Sequence, residues 1–255
     1  MKLDDIKKLH HKKYRQEFGC FLIEGEHLLQ ELVRAAQVNA ALKASRLYVT
    51  EAFQDTARSF TDTFTTTLVS GKQMAQLSDT KTPQGVVGVV PISALTTPRA
   101  VIHPEARLAE AQKLNTVYLH EVQDPGNLGT ILRTLAWFGG FRCLLSANSV
   151  DPFNPKTVRA SMGAIFHVAI EQDVDLHSLP ERFQRIAYLD VQGKALTDAD
   201  FARYDCYLFG NEARGVPAQD LQQLNATAFS IPGCGAIESL NLASAVNMSV
   251  YELRR

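Results

Sequence analysis

Cysteine is scarce in this 255-residue chain: Cys20, Cys143, Cys206 and Cys234 lie far apart, form no C-x-x-C pair and never cluster with histidine at metal-ligand spacing. A disulfide framework is excluded, and the expectation is reduced thiols with no metal. No uncharged apolar run approaches the roughly 20 residues that a membrane helix needs. The start, MKLDDIKKLHHKKYR, also lacks the apolar stretch of a signal peptide. The expectation is therefore a cytoplasmic protein with no membrane partner. Neither charge sign is in excess, with 26 basic residues against 27 acidic ones. That balance removes any global electrostatic case for nucleic acid, so a basic footprint would have to be local. The chain has no G-x-x-x-x-G-K-[ST], no G-x-G-x-x-G after a strand, no G-x-S-x-G and no H-E-x-x-H. Nucleotide hydrolysis, dinucleotide redox chemistry, α/β-hydrolase chemistry and zinc proteolysis lose their usual supports.

What is present describes a globular protein of one large domain or two ordinary ones: 45% hydrophobic and 21% charged residues, with 15 Gly and 10 Pro scattered rather than repeated. One local basic stretch stands out. Lys7, Lys8, Lys12, Lys13 and Arg15, with His10 and His11 among them, meet no acid from Ile6 to Gln16. This fits a nucleic-acid footprint, and equally a solvated helix face or a frayed terminus.

Helical and extended patterns alternate over the first ninety or so residues. Leu3, Ile6 and Leu9 suggest a short helix, CFLIEG a strand, and EHLLQELVRAA a helix with Leu28, Leu29, Leu32 and Val33 on one side. RLYVT, TTTLV and GVVGVVPI read as strands and GKQMAQLSD as a helix. The pattern lapses from Ser93 to Lys113, a predicted linker. Beyond it NTVYLHEV, RCLLS, FHVAI, RIAYLD, CYLFG and ATAFSIP read as strands, several apolar throughout, as strands of a parallel sheet covered on both faces tend to be. The fold class is α/β.

Three segments lie where such strands end, which is where open α/β sheets collect ligands. In DPGNLGTILRTLAWFGG, Asp124, Pro125 and Gly126 make a turn and Asn127 is placed to cap a helix. Leu128, Ile131, Leu132, Leu135 and Phe138 form its buried side, and Gly129, Arg133 and Trp137 another stripe. A glycine one turn before an arginine leaves backbone open beside a guanidinium, which suits a phosphate or ribose. The alternative is that Asn127 only caps and Arg133 only pairs with a carboxylate or lies over Trp137. In LFGNEARGVP, Gly210 and Gly215 flank a polar loop that offers the Glu212 carboxylate, although any surface turn can look like this. In SIPGCGAIESLNLASAVNMSVYELRR, Ser239 is placed to cap the last helix with Asn241 in its first turn, again compatible with an ordinary loop. Ala243, Ser244 and Ala245 are small enough for another helix to approach, within the chain or from a second copy.

As an ordered set, DPGNLGTILR, FGNEARG and IP...ESLN resemble the signature motifs of the SpoU/TrmH family of RNA 2′-O-ribose methyltransferases, in the SPOUT superfamily. The resemblance runs from Leu114 to the C-terminus. KKYRQEFGCFLIEGEHLLQEL and TKTPQGVVGVV more weakly resemble the L30e-like RNA-binding domain that often precedes this catalytic domain. The resemblance implies an L30e-like domain over residues 1–92, a linker over 93–113 and a methyltransferase domain over 114–255, the last with a mostly parallel sheet and a deep trefoil knot, an exception to the rule against threaded chains.

It further implies a homodimer that binds S-adenosylmethionine through backbone groups at Gly210, Ile231 and Leu240 and methylates a ribose 2′-hydroxyl of structured RNA, ribosomal rather than transfer RNA. Asn127, Arg133, Glu212, Ser239 and Asn241 would form the catalytic set. A guanidinium stays protonated in almost all settings, so Arg133 suits positioning phosphate and hydroxyl, which leaves the general base open. Asn127 would orient Arg133 or the ribose, Glu212 would sit beside either, and Ser239 and Asn241 would complete a polar wall. No metal is needed, because the sulfonium carries the leaving-group charge. The chain departs from the family pattern at His120, Glu121, Trp137, Gly233 and Cys234, which bears most on substrate identity. The competing readings are a transfer RNA ribose methyltransferase, a base methylase of the same superfamily and a non-catalytic RNA-binding or ribosome-assembly factor.

Overall fold

A computed structural model of the chain describes residues 1–54, 56, 63–96 and 114–255. The elements follow in the order α1 (Leu3–Lys8), α2 (Lys12–Phe18), β1 (Cys20–Glu24), α3 (Glu26–Val38), β2 (Arg46–Val49), β3 (Thr65–Leu68), α4 (Gly71–Leu77), β4 (Val86–Pro91) and α5 (Ser93–Thr96). They continue as β5 (Asn115–Leu119), α6 (Pro125–Phe138), β6 (Phe141–Leu145), α7 (Pro155–Ala160), β7 (Ala169–Glu171), α8 (Leu179–Arg182), β8 (Ile186–Ala195), β9 (Cys206–Phe209), α9 (Ala218–Gln223), β10 (Thr227–Ser230) and α10 (Leu242–Glu252). The chain divides into two compact units, Met1–Pro98 with Asp151–His167, and Arg99–Val150 with Val168–Arg255.

The first unit carries a four-stranded sheet in the order β1-β4-β2-β3, antiparallel except between β2 and β3. Alternation in β1, β2 and β4 turns Leu22, Tyr48, Val87 and Val89 into one core, with Ile6 and Leu9 from the N-terminal turn and Met74 and Leu77 from α4. Ser70 and Gln73 form a reciprocal capping box at the start of α4. Ser93–Thr96, the start of the predicted linker, is a short helix with Ala94 and Leu95 buried; the rest of that stretch lies outside the described residues.

Arg15 departs from the expected basic surface. Only 2% exposed, it sends Nε and Nη2 to Asp151 Oδ2 (2.8 and 2.7 Å) and Nη1 to the carbonyls of Leu9 and His10 (2.8 and 2.9 Å). Asp151 Oδ1 accepts the Phe153 N–H at 2.9 Å, so the buried pair is satisfied on both sides. The charge run could not reveal this, because the partner carboxylate is 136 residues away. Exposed lysines 7, 8, 12 and 13 remain of that run, and Lys8 is paired with Asp5.

The second unit is built on a six-stranded, all-parallel sheet in the order β10-β8-β9-β5-β6-β7. Its central strands are buried almost throughout, as their apolar runs predict. Tyr118 and Tyr207 keep their hydroxyls satisfied by donating to the carbonyls of Val174 (2.9 Å) and Phe201 (2.9 Å). Burial pushes the thiols of Cys143 and Cys206 up to about 12, which makes them inert packing groups. FHVAI is only partly extended: Ala164–Phe166 forms a 3-10 turn with Ile165 and Phe166 in the core, and the strand is confined to Ala169–Glu171.

Two predicted caps move. Asp124, not Asn127, caps α6, accepting the Asn127 N–H at 2.7 Å with Pro125 at the first helical position. Asn241, not Ser239, caps α10, accepting the Ser244 N–H at 3.2 Å. Both helices have a better-placed acceptor next to their first residue. Helix α6 buries Leu128, Ile131, Leu132 and Leu135 as expected, with Phe138 half-buried. Its C-terminal carbonyl at Gly139 accepts Arg254 Nη2 (2.6 Å), a cation at the negative end of the helix.

Removing Arg15 should leave Asp151 as an uncompensated buried charge. Arg15→Ala is expected to cost about 3–5 kcal/mol in urea unfolding; a loss below about 1 kcal/mol, the scale of an exposed pair, would contradict this assignment.

Candidate active site

The site grows from the carboxyl ends of β5 and β9, adjacent parallel strands paired from Thr116 with Cys206 to Leu119 with Phe209. Both chains must leave the sheet at the same edge, which brings the 120–124 and 210–216 loops together. Glu121 turns the first loop in a left-handed conformation, φ 49°. Its N–H donates to Ser146 Oγ (2.7 Å), while its carbonyl accepts Gln123 Nε2 (2.9 Å) and Asn211 Nδ2 (2.7 Å). Its carboxylate pairs with Arg214 at 2.6 Å.

The second loop folds back on itself. Asn211 and Gly215 exchange backbone hydrogen bonds (3.0 and 2.9 Å), and Asn211 Oδ1 accepts the N–H groups of Ala213 (3.0 Å) and Arg214 (3.1 Å). A Cβ on Gly210 would lie 2.4 Å from the Gly215 carbonyl carbon. Glycine is required there by the loop's own closure.

That closure aims Glu212 at the first turn of α6. Its Oε2 accepts the Gln123 N–H (3.2 Å), and its Oε1 accepts the Asp124 N–H (3.2 Å) and Asn127 Nδ2 (3.1 Å). A carboxylate over unsatisfied amides at a helix N-terminus is electrostatically favoured. Asn127 Oδ1 in turn accepts Asn241 Nδ2 at 2.9 Å. Glu212, Asn127 and Asn241, separated by 85 and 114 residues, thus form one hydrogen-bonded chain across all three predicted segments. The partners fix the Asn127 amide: its NH₂ faces a carboxylate and its oxygen faces a donor.

Arg133 and Ser239 are exposed, and among the described residues neither side chain makes a hydrogen bond or ion pair. Among the described residues Arg133 neither pairs with a carboxylate nor lies over Trp137, which is itself 85% exposed. Gly129, expected to leave open backbone beside Arg133, is instead buried against the core. Among the described residues the backbone groups of Gly210, Ile231 and Leu240 form no hydrogen bond. Ile231 borders a groove of about 400 Å³ that also touches Leu196, Thr197, Asn247 and Tyr251. Among the described residues, no group of three or more His, Cys, Asp or Glu is arranged to hold a metal ion, and no helix is long and apolar enough to cross a membrane.

Asn211, Arg214 and the bonding role of Glu121 emerge only in the folded chain. An asparagine directly after Gly210 was the only available signal, since the pairing with Glu121 spans 90 residues. His120, at the end of β5, has a buried Nδ1 with no partner among the described residues. Burial is the main cause that lowers its pKa below the ordinary imidazole value, opposed by Glu121 and Asp220.

Known proteins resemble this chain over nearly its whole length. An uncharacterized tRNA/rRNA methyltransferase of Synechocystis sp. is 34% identical, aligned over 98% of this chain and 89% of its own length. The 23S rRNA (guanosine(2553)-2′-O)-methyltransferase of Bacillus subtilis is 32% identical over 99% of this chain and 96% of its own. The structure of an AdoMet-bound rRNA methyltransferase from Sinorhizobium meliloti superposes with a TM-score of 0.79 at 28% identity, covering 99% of this chain and 93% of that one. Residues 2–88 match the MRM3-like substrate binding domain and residues 115–251 match the SpoU rRNA Methylase family, and the chain belongs to that family.

Proposed function

We propose that this protein transfers a methyl group from S-adenosylmethionine to a ribose 2′-hydroxyl of ribosomal RNA, acting in the cytoplasm as a homodimer. The observation that carries the reading is the Glu212–Asn127–Asn241 chain, which joins the three motif segments beside an uncommitted Arg133. Relatives named as ribosomal RNA methyltransferases favour ribosomal over transfer RNA.

S-adenosylmethionine would supply a methyl carbon activated by its sulfonium: a ribose oxygen bonding to that carbon in line would break the carbon–sulfur bond, release the neutral thioether S-adenosylhomocysteine and give up the hydroxyl proton. The chain's residues must hold the weak alcohol nucleophile in line with that carbon. Arg133 offers a permanently charged donor fork to the ribose hydroxyl and the neighbouring phosphate. Asn127, locked between Glu212 and Asn241, orients the ribose, and Ser239 extends the polar wall. The residues fit the cofactor: the uncommitted backbone groups of Gly210, Ile231 and Leu240 can donate to and accept from the adenine edge and the amino and carboxylate groups of the methionine portion.

In this reading residues 1–92 grip the RNA, 93–113 link, and 114–255 carry the transfer domain with its knot. The 85% exposed Trp137 and the 57% exposed Tyr251, on helices that pack together, support a second copy covering this face. Burial of Ala243 within the α10 packing accounts for part of the small-residue run.

Incubating the protein with labelled S-adenosylmethionine and RNA from cells lacking it should place label in alkali-resistant dinucleotides, because 2′-O-methylation removes the hydroxyl that alkali needs. Label only in mononucleotides would mean base methylation, and no label with cofactor bound would favour a non-catalytic factor. Arg133→Ala should lower kcat by about 10²-fold or more while cofactor affinity stays unchanged; wild-type turnover would remove its assigned role. Replacing Lys12 and Lys13 together with Ala should weaken RNA binding about three- to tenfold and flatten its salt dependence. An equal loss of cofactor affinity in that variant would contradict the division of labour.

A further inference from the structure

We propose that Arg214 is an RNA-phosphate contact at the rim of the site, held in place by Glu121. The inference rests on the reading above, that RNA docks over the Glu212–Asn127–Asn241 chain. Arg214 sits two residues beyond Glu212 in a loop whose backbone is closed by the Asn211–Gly215 bonds, so its Cα is fixed relative to the carboxylate chain. Its side chain is nevertheless 72% exposed. One nitrogen, Nη2, donates to Glu121 Oε2 at 2.6 Å; among the described residues the other guanidinium nitrogens have no partner. A guanidinium carries five N–H donors in a rigid fork, so an arginine held by a carboxylate on one side still presents donors to a phosphate on the other.

Glu121 is built to do the holding. Its backbone is fixed on both sides, by Ser146 Oγ at the N–H and by the Gln123 and Asn211 amides at the carbonyl. A free surface glutamate would give Arg214 no such fixed direction. Electrostatics sharpens the argument. Glu121, Asp124 and Glu212 crowd carboxylates around the loop ends, where a polyanion would be repelled unless cations face it. Arg214 and Arg133 are exposed cations on these same two segments. Lysine could not replace Arg214 equally, since a point charge cannot serve a carboxylate and a phosphate along two edges of one plane.

The test is filter binding of the full chain to protein-free ribosomal RNA from cells lacking it, at several salt concentrations, with no turnover required. Arg214→Ala should raise Kd about tenfold at low salt and reduce the slope of log K against log salt by about one; Arg214→Lys should recover only part of each. Glu121→Gln should weaken binding about threefold although it removes a negative charge near a polyanion, and should no longer weaken it in the Arg214→Ala background. Tighter binding by Glu121→Gln would overturn the proposal. So would an equal effect in both backgrounds, or an unchanged Kd and slope for Arg214→Ala. Unchanged thermal unfolding keeps these results separate from misfolding. If the wild type binds RNA with this pattern but leaves no alkali-resistant label, the methyl-transfer reading fails while the Arg214 contact stands; label without an Arg214 effect gives the reverse.

Discussion

The Glu212 carboxylate over the first turn of α6 is the contact on which the rest of the site depends. Helix amides at that end have no intrahelical acceptors, and a carboxylate brought there satisfies the Gln123 and Asp124 N–H groups while taking the Asn127 amide as well. Asn127 can present its oxygen to Asn241 only because its NH₂ is committed to Glu212. The 210–216 loop delivers the carboxylate only because Gly210 lets Gly215 fold against it.

Around that contact the fold supplies direction. Adjacent parallel strands β5 and β9 release their chains at one edge, and α6 starts there under its Asp124 cap. At its far end α6 is closed by Gly139 and by the Arg254 guanidinium from the C-terminal segment, which also stacks over Phe141 at 4.8 Å. The helix that carries Asn127 and Arg133 is thus fixed at both ends by groups that complement its dipole. Glu121 adds a second hub at the same edge, where a strained backbone is held by surrounding amides and a hydroxyl.

The N-terminal unit follows a different rule. Its sheet core is apolar, but its most specific contact is ionic, the buried Arg15 against Asp151 with two carbonyls completing the guanidinium's bonds. A lone charge at that depth would be costly. The pair makes the position of the segment after Val150 depend on a residue from the start of the chain.

Much was legible from one dimension. Short apolar runs between turn residues located β1, β4, β5 and β9, a stripe at about 3.6 residues located α3, and the three motif segments marked the loops that meet. Residue types also named Asn127, Glu212 and Asn241, whose joined side chains the fold brings into contact. What sequence spacing could not carry were choices made by distant partners. Arg15 lies in a basic run yet is buried, because its carboxylate comes from residue 151. Gly129 lies on a polar stripe yet is buried by the sheet packing. The caps fell to Asp124 and Asn241, since capping depends on the backbone geometry where a helix actually begins. Glu121 and Arg214 look like ordinary surface charges until the parallel strands bring their loops together. Local periodicity is a property of neighbours along the chain, whereas burial of a charge and the pairing of loops are properties of neighbours in space, and only the folded sheet supplies those.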